Sequence, residues 1–269
     1  MQRHRKKIQD LTLSYIDEGS GDAIVFIHGF CGSAAYWEEI VPSLTDSYRV
    51  IAPSLRGHGK TSAVCEPYTI DDMATDIKLL LDELNINKVM MFGHSLGGYV
   101  TLSFAEQYPE YLRGMSLIHS TANADNEEGK ESRKKNIELI CDNGIEPLIS
   151  LLVPKLFSSV NYKTMSDEVD FVKEIGLSTS VIGAKGALQA MMNRPSRNHV
   201  LERIKIPVLL VAGEQDQIIP TEKVFSFDGP HIQQQMLKQS GHMGMLENKE
   251  DLLTYIKSFI INHTELLNK

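Results

Sequence analysis

Apolar residues recur along this chain in two rhythms. From Ile8 to Ile16 they alternate with polar ones, the period of a strand with one solvated face, and an edge strand is expected there. After the turn cluster of Asp17 to Asp22, the run from Ala23 to Ile27 is continuously apolar, as in a strand buried on both faces. Runs of the same kind stand at Arg49 to Ala52, Val89 to Phe92, Leu112 to Ile118 and Ile206 to Gly213, and a last strand is expected over Gln233 to Lys238. Between them the spacing is helical. Tyr36 to Leu44 and Tyr99 to Tyr108 read as short helices. Thr69 to Asp72 has the form of a capping box, and Met73, Ile77, Leu80, Leu81 and Leu84 behind it trace one apolar face. Asn248 opens a final helix with the stripe Leu252, Leu253, Ile256, Phe259 and Ile260. Strands alternating with helices predict βαβ units. The expected class is α/β, with a mainly parallel central sheet and helices on both faces.

The rhythm changes between residues 121 and 198. Asn123 to Lys135 is strongly charged, and helical segments are expected at Ile137 to Asn143, Pro147 to Phe157, Asp167 to Ile175 and Val181 to Met192, with no buried strand between them. A helical cap insertion over 121–198 is therefore expected, with 1–120 and 199–269 forming the core. The cluster Arg133-Lys134-Lys135 has Glu131 one turn before Lys135 and reads as a solvated helix face.

Composition narrows the partners. A chain of 269 residues suits one large domain or a core with an insertion, and 42% hydrophobic with 23% charged residues is ordinary for a globular enzyme. A net charge of -8 gives no basis for nucleic acid or an anionic membrane as partner. No apolar run approaches the ~18 residues of a membrane span. The basic stretch Met1 to Lys7 leads into Ile8-Gln9-Asp10, not an apolar segment, so no secretory signal is expected. Cys31, Cys65 and Cys141 are odd in number and lack metal or redox spacing, which fits a reducing cytoplasm. The expected partner is a small-molecule substrate, taken up by a monomer or homodimer.

The chemistry starts at Gly93-His94-Ser95-Leu96-Gly97-Gly98, which closes an apolar run and opens a helical one. Strand, tight turn and helix around G-x-S-x-G hold a serine Oγ out over the end of a sheet, and small residues two before and two after it avoid a clash. Serine needs a base, and the base needs an orienting group. Asp216 and His242 follow later strands, giving the order Ser95, Asp216, His242 on loops after three successive core strands. In a parallel sheet those loops share one edge. The roles expected are nucleophile for Ser95, general acid/base for His242 and orienter for Asp216. Two backbone donors, the N–H groups of Phe30 and Leu96, are expected to form the oxyanion hole.

Together with His28-Gly29-Phe30, Arg56 to Ser62, Val211 to Asp216 and Gly241-His242-Met243, this motif resembles the α/β-hydrolase fold family over nearly the whole chain. Ser54 stands where relatives often carry Asp, and Ser95 disfavours the branch whose nucleophile is Asp, the haloalkane dehalogenases and epoxide hydrolases. The resemblance implies a helical cap lining an acyl pocket. Asp125 is a distant second candidate for the acid; His28, His58, His94 and His119 are read as loop-bonding residues and Cys31 as packing. Gly59-Lys60-Thr61 lacks the first glycine of a phosphate-binding loop, and no ligand spacing points to a metal. The expected activity is cofactor-free hydrolysis of a small or medium carboxylic ester through an acyl-enzyme. C–C bond hydrolysis, thioester hydrolysis or elimination on the same triad stays open, as does a low-turnover ligand-binding protein.

Overall fold

The computed structural model describes residues 1–64 and 67–263. Eight strands form one sheet: β1 (Arg3–Ile8), β2 (Leu11–Glu18), β3 (Asp22–Ile27), β4 (Tyr48–Pro53), β5 (Val89–His94), β6 (Leu112–Ile118), β7 (Val208–Gly213) and β8 (Ile232–Leu237). Their order is β1-β2-β4-β3-β5-β6-β7-β8. β1 and β4 pair antiparallel with β2, and every other pair is parallel. The apolar runs mark the middle of this sheet. Val25 and Ile27 of β3 pack on one face with Ile77, Leu80 and Val100, while Ile24 and Phe26 pack on the other with Trp37 and Phe259.

The N-terminus corrects one expectation. The edge strand expected over residues 8 to 16 is a hairpin, β1 and β2 turning at Gln9 and Asp10. The basic residues Arg3, Arg5 and Lys7 are exposed on β1, and charge on an edge strand hides its period while discouraging a further strand from pairing. The helix expected from Tyr36 to Leu44 is two 3-10 turns, Ala34–Trp37 and Val41–Ser43. Pro42 lacks the N–H that a continuous helix would need there.

Helix α1 (Ile70–Glu83) starts as expected, with the Thr69 and Asp72 side chains capping each other's backbone N–H. Helix α2 (Leu96–Gln107) begins three residues earlier than the spacing predicts, directly after Ser95. Between β6 and β7 lie α3 (Glu127–Asn143), α4 (Glu146–Leu156), α5 (Asn161–Thr164), α6 (Ser166–Leu177), α7 (Val181–Asn193) and α8 (Asn198–Arg203). α3 starts ten residues before the expected Ile137, capped by the Asn126 side chain. Ile140 is its one buried residue, so its first half carries no apolar stripe for a periodicity argument to find. The short α9 (Thr221–Val224) and α10 (Gly244–Glu247) precede α11 (Lys249–Asn262), which Asn248 caps. Of the cysteines, Cys31 is buried and free and Cys141 exposed and free, while Cys65 lies outside the described residues. Among the described residues no helix is long and apolar enough to cross a membrane.

Helix α7 rests on the loop after β4 by backbone contact. A Cβ on Gly183 would stand 2.2 Å from the carbonyl oxygen of Gly57, and the Tyr68 hydroxyl donates to the Gly183 carbonyl at 3.1 Å. Overpacking at such a contact costs about 1–3 kcal/mol. Gly183→Ala should therefore lower the unfolding free energy by an amount in that range, read as a fall in the urea midpoint, and an unchanged midpoint would show that α7 can lift without cost.

Candidate active site

Ser95 joins β5 to α2 with φ 51 and ψ -114, a conformation that costs a non-glycine residue on the order of 1–3 kcal/mol. Its surroundings over-determine it. The Ser95 N–H donates to the Ile118 carbonyl at 2.9 Å, and its own carbonyl accepts from the Ser120 hydroxyl at 2.8 Å and the Gly98 N–H at 2.9 Å. The turn closes because side chains are missing around it: a Cβ on Gly97 would lie 2.2 Å from the Ile27 carbonyl oxygen, and one on Gly93 2.3 Å from that of Gly97.

Asp216 follows β7, its side chain fully buried. Oδ1 accepts the N–H groups of Ile218 (2.8 Å) and Ile219 (3.0 Å). Oδ2 accepts from His242 Nδ1 at 2.7 Å and from His119 Nδ1 at 3.2 Å. Burial by itself would raise the pKa of this carboxyl; the charge of His242 and the hydrogen bonds from His119 and His242 outweigh it and hold the group far below the carboxylate range. His242 follows β8 and is fixed through its backbone as well. Its N–H donates to the Leu156 carbonyl at 2.7 Å, and its carbonyl accepts from His94 Nε2 at 2.9 Å.

The structure thus brings His242 and Asp216 into contact and puts Ser95 on the same cavity as His242. The three loops do not follow successive strands, as the spacing had suggested: β6 intervenes between β5 and β7, and its own loop supplies His119. His119 was read only as a loop-bonding histidine. Its bond is to the Asp216 carboxylate, and nothing in its sequence neighbourhood, His119-Ser120-Thr121, marks that partner. Asp125, the second candidate acid, is instead held by Arg133 and Arg194.

His28, His58 and His94 bond to backbone. His28 donates from Nδ1 to the Gly29 carbonyl (2.7 Å) and accepts the Leu55 N–H at Nε2 (2.9 Å), which ties the Phe30 loop to the loop after β4. His58 donates from Nδ1 to the Arg56 carbonyl at 3.0 Å. Burial pushes His28 down to about 3 and His58 to about 4, and His94 well below its ordinary value, with the charges of His242 and His119 adding to burial at His94. Cys31 is buried beside this loop, and burial raises its thiol pKa strongly, away from nucleophilic use.

The cavity over Ser95 has a volume of about 120 Å³. Phe30, Ser95 and His242 line it with Leu148, Leu152, Leu188 and Met191 from α4 and α7. Leu96, the other expected backbone donor, is the first residue of α2, where an N–H has no partner within the helix. From the segment between residues 121 and 198, Leu148, Leu152 and Met191 thus face this cavity, and Leu151 faces a neighbouring one. Among the described residues, His119, Asp216 and His242 form the one set of potential metal ligands, their ligand atoms within 4.8 Å of one another. In that set both imidazole Nδ1 atoms are spent on the carboxylate.

A model of the alpha/beta hydrolase fold matches residues 22–139. The chain is 30% identical over 214 residues to a putative 2-succinyl-6-hydroxy-2,4-cyclohexadiene-1-carboxylate synthase of Bacillus subtilis, covering 75% of this chain and 77% of that one. The chain belongs to the α/β-hydrolase fold family. It is 27% identical over 212 residues to 3-oxoadipate enol-lactonase 2 of Acinetobacter baylyi, covering 78% of each. Among solved structures, a thermophilic esterase from Thermogutta terrifontis superposes with a TM-score of 0.92 at 26% identity, covering 98% of this chain and 99% of that one. This α/β-hydrolase-fold chain therefore has both esterase and lactonase relatives.

The buried imidazoles make the fold acid-labile. His28, His58 and His94 are neutral when folded but titrate near 6.5 when unfolded, so their contribution is complete above pH 6.5 and is lost as the pH falls toward their folded values. At pH 5 the loss is about 2 kcal/mol for each of His28 and His58. His58→Gln should flatten the fall in unfolding free energy between pH 7 and 5 by about that amount, read from urea midpoints; an unaltered slope would contradict this.

Proposed function

We propose that this protein is a serine hydrolase that cleaves a small or medium carboxylic ester through an acyl-enzyme. The observation that carries the reading is a strained Ser95 sharing one cavity with His242, whose Nδ1 is bonded to Asp216 at 2.7 Å. With Nδ1–H committed to the carboxylate, Nε2 is the nitrogen left to take the Ser95 hydroxyl proton. Oγ then bonds to the ester carbonyl carbon, and the oxygen that becomes negative is met by the N–H groups of Phe30 and Leu96. His242 returns the proton to the departing alkoxide. Water repeats the sequence on the acyl-enzyme, giving up its proton to Nε2 and releasing the acid. Asp216 keeps the imidazole in the required tautomer throughout, and His119 holds Asp216.

We further propose that residues 121–198 act as a cap, since α4 and α7 wall the cavity and the Leu156 carbonyl holds the His242 loop. The esterase and enol-lactonase relatives support ester chemistry. A second reading, elimination or C–C cleavage on the same residues, draws support from the relative described as a synthase.

Two tests follow. The wild type should hydrolyse p-nitrophenyl acetate and butyrate faster than octanoate, given the small cavity. Ser95→Ala should lose that turnover by roughly 1,000-fold or more and should not be labelled by a fluorophosphonate. Labelling of a folded Ser95→Ala variant would overturn the nucleophile; labelling of the wild type without ester turnover would favour the second reading. His119→Ala, which removes one hydrogen bond to a charged group, should lower kcat/KM about tenfold, and Ser95 should still be labelled. No change in kcat/KM would reduce His119 to packing.

A further inference from the structure

A second cavity, of about 610 Å³, adjoins the one over Ser95. The two share the walls Tyr99, Arg133, Asn136, Leu148, Leu152 and Ile218. Its charged lining is one-sided: Arg133, Lys155, Arg194 and Lys223 against the single carboxylate of Asp125. That imbalance sits in a chain whose net charge is -8, so it is a local feature and not a sample of the whole surface.

Asp125 is divided between two guanidinium groups. Arg194 donates from Nη1 to Oδ1 at 2.8 Å, and Arg133 donates from Nε to Oδ2 and from Nη2 to Oδ1 at 3.3 Å. Burial would raise this carboxyl, but the hydrogen bond and charge of Arg133 and the charge of Arg194 hold it below its ordinary value. One carboxylate between two cations leaves a full positive charge uncompensated. Arg194 is fixed by the Met191 and Asn123 carbonyls and lies 3.9 Å over the Tyr99 ring. Arg133 is different: its side chain is 20% exposed, and its Nη1 has no partner among the described residues. It lines both cavities, so its free fork end is within the space a substrate on Ser95 would reach. Lys155 and Lys223 are exposed at the same cavity and make no ion pair among the described residues. Anchoring the loop after β6 would need one arginine on Asp125; it accounts for neither the second arginine nor the two lysines.

We propose that this outer cavity receives a carboxylate group of the substrate, with Arg133 as the directional contact, so that the preferred esters are monoanionic. The proposal rests on the serine hydrolase reading for its substrate bond but not for the binding of the anion. Guanidinium matches a carboxylate through two parallel N–H donors, and in a partly enclosed site the pair is less screened than at an open surface.

The test compares matched esters on the two sides of the scissile bond: mono-p-nitrophenyl glutarate against p-nitrophenyl pentanoate, and 4-carboxyphenyl acetate against phenyl acetate. At least one charged ester should exceed its neutral partner in kcat/KM by about tenfold, the effect of one well-formed charge contact. The ratio should fall toward unity in Arg133→Gln and in 0.5 M NaCl. A ratio cancels any difference in folded fraction, and the double variant Lys155→Gln with Lys223→Gln, made at exposed positions, should lower it without burdening the fold. Both ratios at or below unity, with the neutral esters turned over, would overturn the anion chamber and leave the esterase standing. If no ester is cleaved, calorimetry with glutarate decides: binding lost in Arg133→Gln supports the chamber, and absent binding overturns it. Equal competition by inorganic phosphate would overturn the assignment to a carboxylate.

Discussion

Four N–H groups converge on the buried carboxylate of Asp216, and through it the ends of four strands are held in one arrangement. The loop after β7 supplies the carboxylate and two backbone donors. The loop after β6 supplies His119, the loop after β8 supplies His242, and the end of β5 joins through His94 bonded to the His242 carbonyl. Burying a carboxylate without partners costs several kcal/mol, so no one of these loops can move away without exposing that cost. A parallel sheet places its carboxyl ends on one edge; the shared acid turns proximity into fixed distance. For a reaction that depends on donors already in place when charge develops, such rigidity is a requirement.

The second constraint is steric and lies at the other end of the same chain of contacts. Gly97 meets the backbone of Ile27, so α2 starts against the end of β3, and the residue that follows β3 belongs to the Phe30 loop. His28 then bonds that loop to the strand end of β4. The neutral form of His28 is needed because one nitrogen donates and the other accepts. Histidine serves here as a two-ended backbone connector in an interior too dry for a charge, which is why the same residues that build the site make it sensitive to acid.

Much of this was legible from the chain. The apolar runs gave β3 to β7 their places because strands covered on both faces have no polar alternation, and the capping box at Thr69 located α1 to the residue. What is not legible is what the local pattern does not encode. β1 is made of charged residues at the sheet edge, and its neighbours, not its hydrophobicity, make it a strand. α3 is almost wholly solvated, and Pro42 splits what reads as one helix. At the site, Ser95, Asp216 and His242 stood out because each follows a predicted strand and together they give the order Ser, Asp, His. His119 did not, since its meaning lies in a carboxylate 97 residues away in sequence.

The two cavities differ in polarity. The inner one is walled by leucine and methionine from α4 and α7 and is therefore apolar. The outer one is cationic. The ions that make it so also fasten the segment between β6 and β7: Asp125 lies before α3, Arg133 on it and Arg194 just after α7. These two duties are separable. Arg194 is buried and held by the Met191 and Asn123 carbonyls, so removing it would leave two buried carbonyls unpaired and Asp125 to Arg133 alone, loosening the junction. Arg133 is only partly buried, and Asp125 keeps Arg194 in its absence. A change in charge selectivity can therefore arise at position 133 with the helical segment left in place, whereas at position 194 it would come only with a weakened fold.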